Sequence, residues 1–277
     1  EGIGLFNWTE PVLHPRLAEM IRIVQSKAIR CYLSSNLNAF KNMEQVMAEN
    51  PHSLRISNSG FTQKVYGYTH RGGDIERVKK NMVALAAAKK QTGATTDIHV
   101  LYHRYKGNLE DEPLMREFAE GLGFRFQPIW AYLMPLEKIL AFVNHDPTEA
   151  LLTEEDQELI RYLAAPLEAA VAIAARRKAE PCSLQDSQIT MDHQGNVQLC
   201  CAVYDARKFT LAPFLTTPMA ELQKLKYAHT MCGKCMKRGV HVYVAHALPE
   251  LDKLAADHIA PEHAELLGLK YERLQKG

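Results

Sequence analysis

From residue 1 to about 145, short apolar runs of strand character alternate with segments whose apolar positions recur at helical spacing. The strand runs are 2–6, 30–33, 54–57, 97–102 and 124–129. Between them Leu17, Met20, Ile21 and Val24 share one helical face, with Pro15 at the first helical position. Ile75, Val78, Met82 and Leu85 form a second stripe behind Asp74, a side chain suited to cap a helix start. Leu114, Met115, Phe118 and Leu122 form a third, stopped by Gly121 and Gly123. Strand–helix alternation of this kind predicts a parallel sheet, open or curled into a barrel, with five βα units.

Residues 146–178 read as helical. Thr153 and Asp156 have capping-pair spacing, and Leu159, Ile160, Leu163, Leu167 and Val171 continue an apolar face that Pro166 kinks or divides. After Pro181 the texture changes. Runs 188–191 and 197–201 flank Asp192-His-Gln-Gly-Asn196, a hairpin turn. A helix at about 218–228 leads to Cys232-Gly-Lys-Cys235, and the charged tail 248–277 reads as helical.

Composition narrows the class. The chain has 277 residues, 47% hydrophobic and 23% charged, which is ordinary for a globular protein of one large domain or a large and a small one. Its 33 basic and 32 acidic residues leave a net charge of +1, so nothing global calls for a nucleic acid or an anionic membrane as partner. The longest apolar run, 163–175, is interrupted by Pro166 and Glu168 and is shorter than the roughly 20 residues a membrane span needs. No secretory leader is visible at the start. Six cysteines in a chain this long predict a cytoplasmic protein with a metal or redox role rather than a disulfide scaffold.

In parallel α/β sheets ligands bind beyond the carboxyl ends of the strands. Here those ends carry Glu10, Ser34-Ser35-Asn36, Ser57-Asn58-Ser59-Gly60, His103-Arg104 and Trp130. Short polar side chains, a carboxylate and an aromatic suit a polar ligand with hydroxyl and amino groups. The plain alternative is turn and cap residues, which Ser, Asn and Thr favour. Arg71, ahead of Gly72-Gly73 and the helix start at Asp74, is placed for a carboxylate or phosphate, or else sits on a solvated turn.

The strongest motif lies further on. Cys232-x2-Cys235 is a chelating pair, and the hairpin returns the chain so that Cys182 and Cys200 approach each other. Four thiolates can hold one [4Fe–4S] cluster or one Zn²⁺, and ligand type alone leaves both open. If 197–201 is a strand, Cys200 and Cys201 point to opposite faces, with Cys200 as the ligand. Cys31, inside a strand run, reads as a small buried thiol.

The spacing Cys182-x12-Gly195-x4-Cys200 followed by Cys232-x2-Cys235 resembles the SPASM auxiliary domain of radical S-adenosylmethionine enzymes. No further cysteine follows, which resembles the shortened single-cluster form called Twitch. Asn7-Trp-Thr-Glu-Pro-Val-Leu-His-Pro15 resembles the family's Gly-Gly-Glu-Pro-x-Leu-His-Pro segment, with Trp8-Thr9 in place of glycines. Ser34-Ser-Asn36 resembles its Ser-Thr-Asn-Gly strand end. Ile56-Ser-Asn-Ser-Gly60 with Tyr66 and His70-Arg-Gly-Gly73 resembles its Ile-Ser-Ile-Asp-Gly…Tyr…Arg-Gly-Gly stretch. The resemblance covers residues 1 to about 236.

The resemblance implies an α/β fold: a partial (β/α)6 TIM-like barrel lacking its first strand, plus a small C-terminal cysteine-rich β-hairpin/helix domain. The implied domains are a truncated barrel over residues 1–145, a helical connector over 146–180, an auxiliary cluster domain over 181–245 and a helical tail over 246–277. It implies S-adenosylmethionine held by Glu10 at its amino group, Ser34 and Asn36 near its ribose, and Ser57 and Arg71 at its carboxylate. An auxiliary [4Fe–4S] cluster would sit on Cys182, Cys200, Cys232 and Cys235.

The family's Cys-x3-Cys-x2-Cys loop for the catalytic cluster has no counterpart among the six cysteines. The expectation is therefore a fragment truncated at its N-terminus and inactive by itself. The complete enzyme would generate a 5′-deoxyadenosyl radical to modify a substrate, with a peptide or protein expected, and would need an electron donor. The rival reading is a non-catalytic α/β binding protein with structural zinc on the same four cysteines. A barrel hydrolase would have to draw on His103, Glu10 and Ser57, whose spacing supports no such site.

Overall fold

A computed structural model describes residues 1–145, 150–245 and 248–269. The chain divides into two compact units, one comprising Glu1–Ala131 with the segment from Ala260, the other Tyr132–Ile259.

In the first unit, strands β1 (Gly2–Gly4), β2 (Arg30–Ser35), β3 (Ser53–Asn58), β4 (Asp97–Arg104) and β5 (Arg125–Trp130) form one sheet in the order β1-β2-β3-β4-β5. Every neighbouring pair is parallel. The crossovers carry α1 (Leu17–Gln25), α2 (Met43–Ala48), α3 (Gln63–Thr69), α4 (Ile75–Thr92) and α5 (Asp111–Gly121). Of these, α2 and α3 were not legible in the apolar pattern. Alternation along the strands sorts the side chains into two sets. Cys31, Leu33, Leu54, Ile56, Ile98 and Val100 join Leu17, Ile21, Val78, Met82 and Met115 of the helices in one core. Tyr32, Ser34, Arg55, Ser57, His99, Leu101, His103, Gln127 and Ile129 belong to the opposite set, so the sheet has an apolar face under helices and a mostly polar face.

Local chemistry explains the element ends. Asp74 caps α4 by accepting from the amides of Glu76 and Arg77 at 3.0 and 3.1 Å, and Gly93 ends that helix at φ +69°. Helix α1 starts at Leu17 with Arg16 at its cap, so Pro15 precedes the helix instead of occupying its first position. At the end of β4, Arg104 pairs with the buried Glu112 at 2.6 and 2.8 Å and lies over the Trp130 ring at 5.2 Å.

The second unit contains α6 (Leu136–Asn144), α7 (Glu154–Tyr162), α8 (Leu167–Ala175), α9 (Ser183–Ser187), α10 (Ala206–Phe209), α11 (Met219–Ala228), α12 (Thr230–Arg238), α13 (Val240–Val244) and α14 (Pro249–Asp257). A reciprocal capping box between Thr153 and Asp156 starts α7, and Pro166 separates α7 from α8. The expected helical stretch 146–178 is thus two helices, with residues 146–149 outside the described ones. The hairpin gains a third strand. β6 (Thr190–Met191), β7 (Asn196–Gln198) and β8 (Thr210–Pro213) form an antiparallel sheet in that order. Gly195, at φ +82°, turns the hairpin, and Asp192 holds the turn by accepting from the amides of Gln194 and Asn196. The tail continues in α14 and then α15 (Pro261–Leu266) of the first unit; residues 270–277 lie outside the described ones. No helix among the described residues is long and apolar enough to cross a membrane.

Candidate functional site

The strand exits of the first unit are joined by a polar network. Glu10 lies at the start of a short 3-10 turn, Pro11–Leu13, and its Oε2 accepts from the Asn36 amide at 2.8 Å. Its Oε1 is buried with no hydrogen-bond partner. Burial raises the carboxyl's pKa, opposed by the Asn36 bond and by Ser35. Asn36 Oδ1 accepts from the Asn38 amide at 2.9 Å. Asn38 in turn donates to the Tyr66 hydroxyl at 2.7 Å and accepts from the Asp74 amide at 2.8 Å. The exits of β1 and β2 are therefore tied to α3 and to the start of α4.

The β3 exit is held as firmly. Ser59 Oγ bonds His70 Nδ1 at 2.8 Å, and His70 stacks on the fully buried Tyr66 with ring centres 4.4 Å apart. Burial, with His103 adding, pushes His70 down to about 4, so this imidazole is neutral at pH 7. Asp111, at the start of α5, accepts from the amides of Phe61 and Thr62, both at 2.7 Å. Asn108 donates to the carbonyls of Ser59 and His103 at 2.9 and 2.8 Å. Gly60 and Gly73 allow this packing: a Cβ on Gly60 would meet the Tyr66 amide at 2.6 Å, and one on Gly73 the Tyr66 ring at 2.8 Å.

Of the cofactor-binding residues expected from the resemblance, Glu10 and Asn36 are brought into contact. Ser34 lies on the polar sheet face, where its hydroxyl accepts from Arg55 Nε at 3.1 Å. Ser57 is half-buried on that same face, and its carbonyl bonds His70. Arg71 is exposed on the turn before Gly72-Gly73. Asn38, Asn108 and Asp111 do the joining and were missed, because isolated Asn and Asp between elements read as turn residues.

In the second unit Cys182, Cys200 and Cys232 act electrostatically on one buried cation, Lys226, as does Asp186. Cys182 is the cap residue of α9. Cys232 and Cys235 stand three residues apart on α12, hence on one helix face. Cys200 and Cys201 lie beyond β7, which ends at Gln198. The chain leaves the ladder there to turn into α10, so strand alternation does not govern which of the two faces the others. Helix α6 holds that turn. The amide of Leu136 donates to the Ala202 carbonyl at 2.8 Å, and the buried Glu137 accepts from the amides of Tyr204 and Asp205 at 2.9 and 3.1 Å. All of these thiols are free.

Ionisation of any one of these thiols disfavours ionisation of the others. Cys235 is perturbed by Cys200, Cys182 and Cys232, Cys232 by Cys182, and Cys201 by Cys182. Burial pushes Cys200 up to about 12 and Cys232 to about 11, and raises Cys235 further. Beside them Lys226, 3% exposed, donates from Nζ to the carbonyls of Gln185 and Gln188 at 2.8 Å and of Leu184 at 3.3 Å. Burial lowers its pKa, and Cys200, Cys232, Cys182 and the carboxylate of Asp186 oppose that drop. Sequence reading missed Lys226, although a lysine one helical turn after the buried Leu222 was a visible sign. Among the described residues, no group of three or more His, Cys, Asp or Glu side chains is arranged to hold a metal ion.

No family model matches the chain. No curated protein matches it either. Solved structures similar to it include a domain of pyruvate-formate lyase-activating enzyme from Bacteroides vulgatus, at 22% identity over 58% of this chain and 92% of that one, TM-score 0.37. Streptococcus suis SuiB is 14% identical over 81% of this chain and 55% of its own, TM-score 0.49. Native anSMEcpe with bound AdoMet and Cp18Cys peptide is 15% identical over 90% of this chain and 84% of its own, TM-score 0.43. This chain spans about half the length of SuiB. Likenesses of this size leave the reading of the site to the chain's own residues.

Proposed function

We propose that this chain belongs to a radical S-adenosylmethionine enzyme, with a partial (β/α)6 barrel followed by a Twitch-like domain with one auxiliary [4Fe–4S] cluster. The observation that carries the reading is the company kept by Lys226: a buried ammonium whose charge is felt by the free thiols Cys182, Cys200 and Cys232 and by Asp186, with Cys235 coupled to all three thiols. A buried cation needs countercharge. Asp186 supplies one negative charge and neutral thiols supply none, whereas a metal centre on four thiolates, cluster or zinc, carries net negative charge. The donor set therefore fits the group, and Cys182, Cys200, Cys232 and Cys235 would hold it. With all four irons ligated by the protein, its role would be electron transfer or support of the fold.

The strand exits fit S-adenosylmethionine in the same sense. Glu10 Oε1 is a buried carboxylate oxygen without a partner, and an amino group is the complement it lacks. Asn36, Ser57 and Arg71 are the proposed further contacts, with Ser34 beside them. When bound together, a catalytic cluster and this cofactor supply a 5′-deoxyadenosyl radical for hydrogen abstraction, and the protein positions the reactants and excludes water. The chain has no Cys-x3-Cys-x2-Cys for that catalytic cluster, so the 277 residues alone are expected to produce no 5′-deoxyadenosine. A peptide or protein substrate and an electron donor complete the proposal.

The test is anaerobic purification with iron, sulfide and zinc analysis. About four irons and four sulfides per chain, lost in Cys232→Ala, support the reading. One zinc without sulfide replaces it with a structural zinc site on the same cysteines.

A further inference from the structure

The polar face of the five-stranded sheet carries a cation that the residues around it leave uncompensated. Arg55, in the middle of β3, pairs in register with Ser34 of β2 on one side and His99 of β4 on the other. Its Nε donates to Ser34 Oγ at 3.1 Å, and its guanidinium lies over the Phe6 ring at 4.9 Å. Among the described residues no carboxylate pairs with it. The nearby acid on this face, Asp97, is engaged by Arg125, with one bond of 2.8 Å. Desolvation is the one cause acting on Arg55, and it lowers the pKa. The next side chain in the row, His99, has its Nδ1 buried without a hydrogen-bond partner, 3.8 Å from Asp97 Oδ2. Burial lowers the His99 pKa, with Arg55 and Arg125 acting in the same direction and Asp97 opposing.

A half-buried guanidinium without an anion costs stability. This one has stacking and a hydroxyl acceptor at Nε, while its two terminal nitrogens have no acceptor among the described residues. Those terminal donors are the ones with which arginine takes a planar anion by two parallel bonds. The geometry points to a carboxylate-binding site on the polar sheet face, with the Arg55 Nη groups as its donors and Ser34 and His99 as its flanks. The site lies two residues deeper along β3 than Ser57, about 7 Å on the strand rise. It is distinct from the Glu10 corner, which is built to receive a cation. The proposed function bears only on who owns the carboxylate, the substrate or the methionine end of S-adenosylmethionine; the site stands on Arg55 itself.

The experiment is calorimetric titration of the purified chain and of Arg55→Met with three probes: succinate, S-adenosylmethionine and decarboxylated S-adenosylmethionine. Thermal unfolding of both proteins is followed alongside. The expected result is a tenfold or greater loss of affinity for a carboxylate probe in Arg55→Met, with a thermal midpoint equal to or above that of the unaltered chain. If the loss falls on succinate and spares S-adenosylmethionine, the carboxylate is the substrate's. If it falls on S-adenosylmethionine and spares its decarboxylated form, the carboxylate is the cofactor's. Binding of all three probes unchanged in Arg55→Met overturns the inference. So does a lowered midpoint in both Arg55→Met and Arg55→Lys, which would make the arginine a packing element. Succinate binding that needs Arg55, in a chain that binds neither adenosyl probe, upholds the site while refuting the proposed cofactor.

Discussion

Lys226 Nζ donates a 2.8 Å hydrogen bond to the Gln188 carbonyl, which fixes a buried ammonium between the end of α9 and the start of the hairpin. The same nitrogen reaches two further carbonyls, so its donors are filled by the backbone and its charge is left for its surroundings. If a cluster sits on the neighbouring thiolates, that charge favours its more negative, reduced state. Lys226→Met is expected to lower the cluster's reduction potential, read by a redox titration followed by electron paramagnetic resonance. An unchanged potential would reduce Lys226 to a cap on three carbonyls.

The turn after β7 offers two adjacent thiols and the proposal assigns one. Cys200→Ser is expected to lose the iron and sulfide that Cys201→Ser retains. Metal and sulfide analysis of the two variants decides it, and the reverse pattern would move the ligand to Cys201, which also feels Cys182.

At the Glu10 corner, Glu10→Gln removes a charge-assisted bond worth about 1.5–3 kcal/mol, or roughly 10- to 100-fold in affinity for S-adenosylmethionine. Burial raises the Glu10 pKa above its ordinary value. The ionised form that attracts an amino group is therefore lost at a higher pH than an exposed glutamate would give. Affinity should fall on acidification through that raised pKa, and titration calorimetry from pH 7 downward should show this only in the unaltered chain.

His70 has a folded pKa of about 4 against about 6.5 when unfolded. Between those values the unfolded chain binds the proton and the folded one does not, so stability rises with pH through that window and is complete above it. Acidification should remove on the order of 3 kcal/mol at most. Denaturant unfolding at pH 4.5 and 7 should show a smaller difference in His70→Gln.

Gly239 ends α12 at φ +73°, and a Cβ there would lie 2.6 Å from the Ala175 backbone of α8. Gly239→Ala combines a disfavoured backbone with a clash that no flexible side chain can relieve. It should cost about 2–4 kcal/mol and loosen the helix that carries Cys232 and Cys235. Thermal unfolding is the check, and a change below about 0.5 kcal/mol would mean that α12 shifts freely against α8.

Local pattern determined those features of this protein that depend on neighbours in sequence. The five strands were legible because a strand between two helices shows as a compact apolar run. Helices α1, α4 and α5 were legible because one apolar face repeats every turn, and the caps at Asp74 and Thr153 because a cap acts over three residues. The short helices α2 and α3 and strand β8 were not, since four to seven residues hold too little periodicity. The cysteine spacing singled out one segment, but spacing could not show that Cys200 and Cys201 lie past the strand end, where alternation no longer sorts them. Tertiary structure alone decided the long-range partners. Asn38 bonds Tyr66 across 28 positions, Asp111 bonds Phe61 across 50, and Lys226 bonds Gln188 across 38. A buried polar group must find its complement wherever the fold places it. That demand leaves no periodic trace along the chain, which is why Lys226 and Arg55 became visible only when the fold set their charges beside the groups around them.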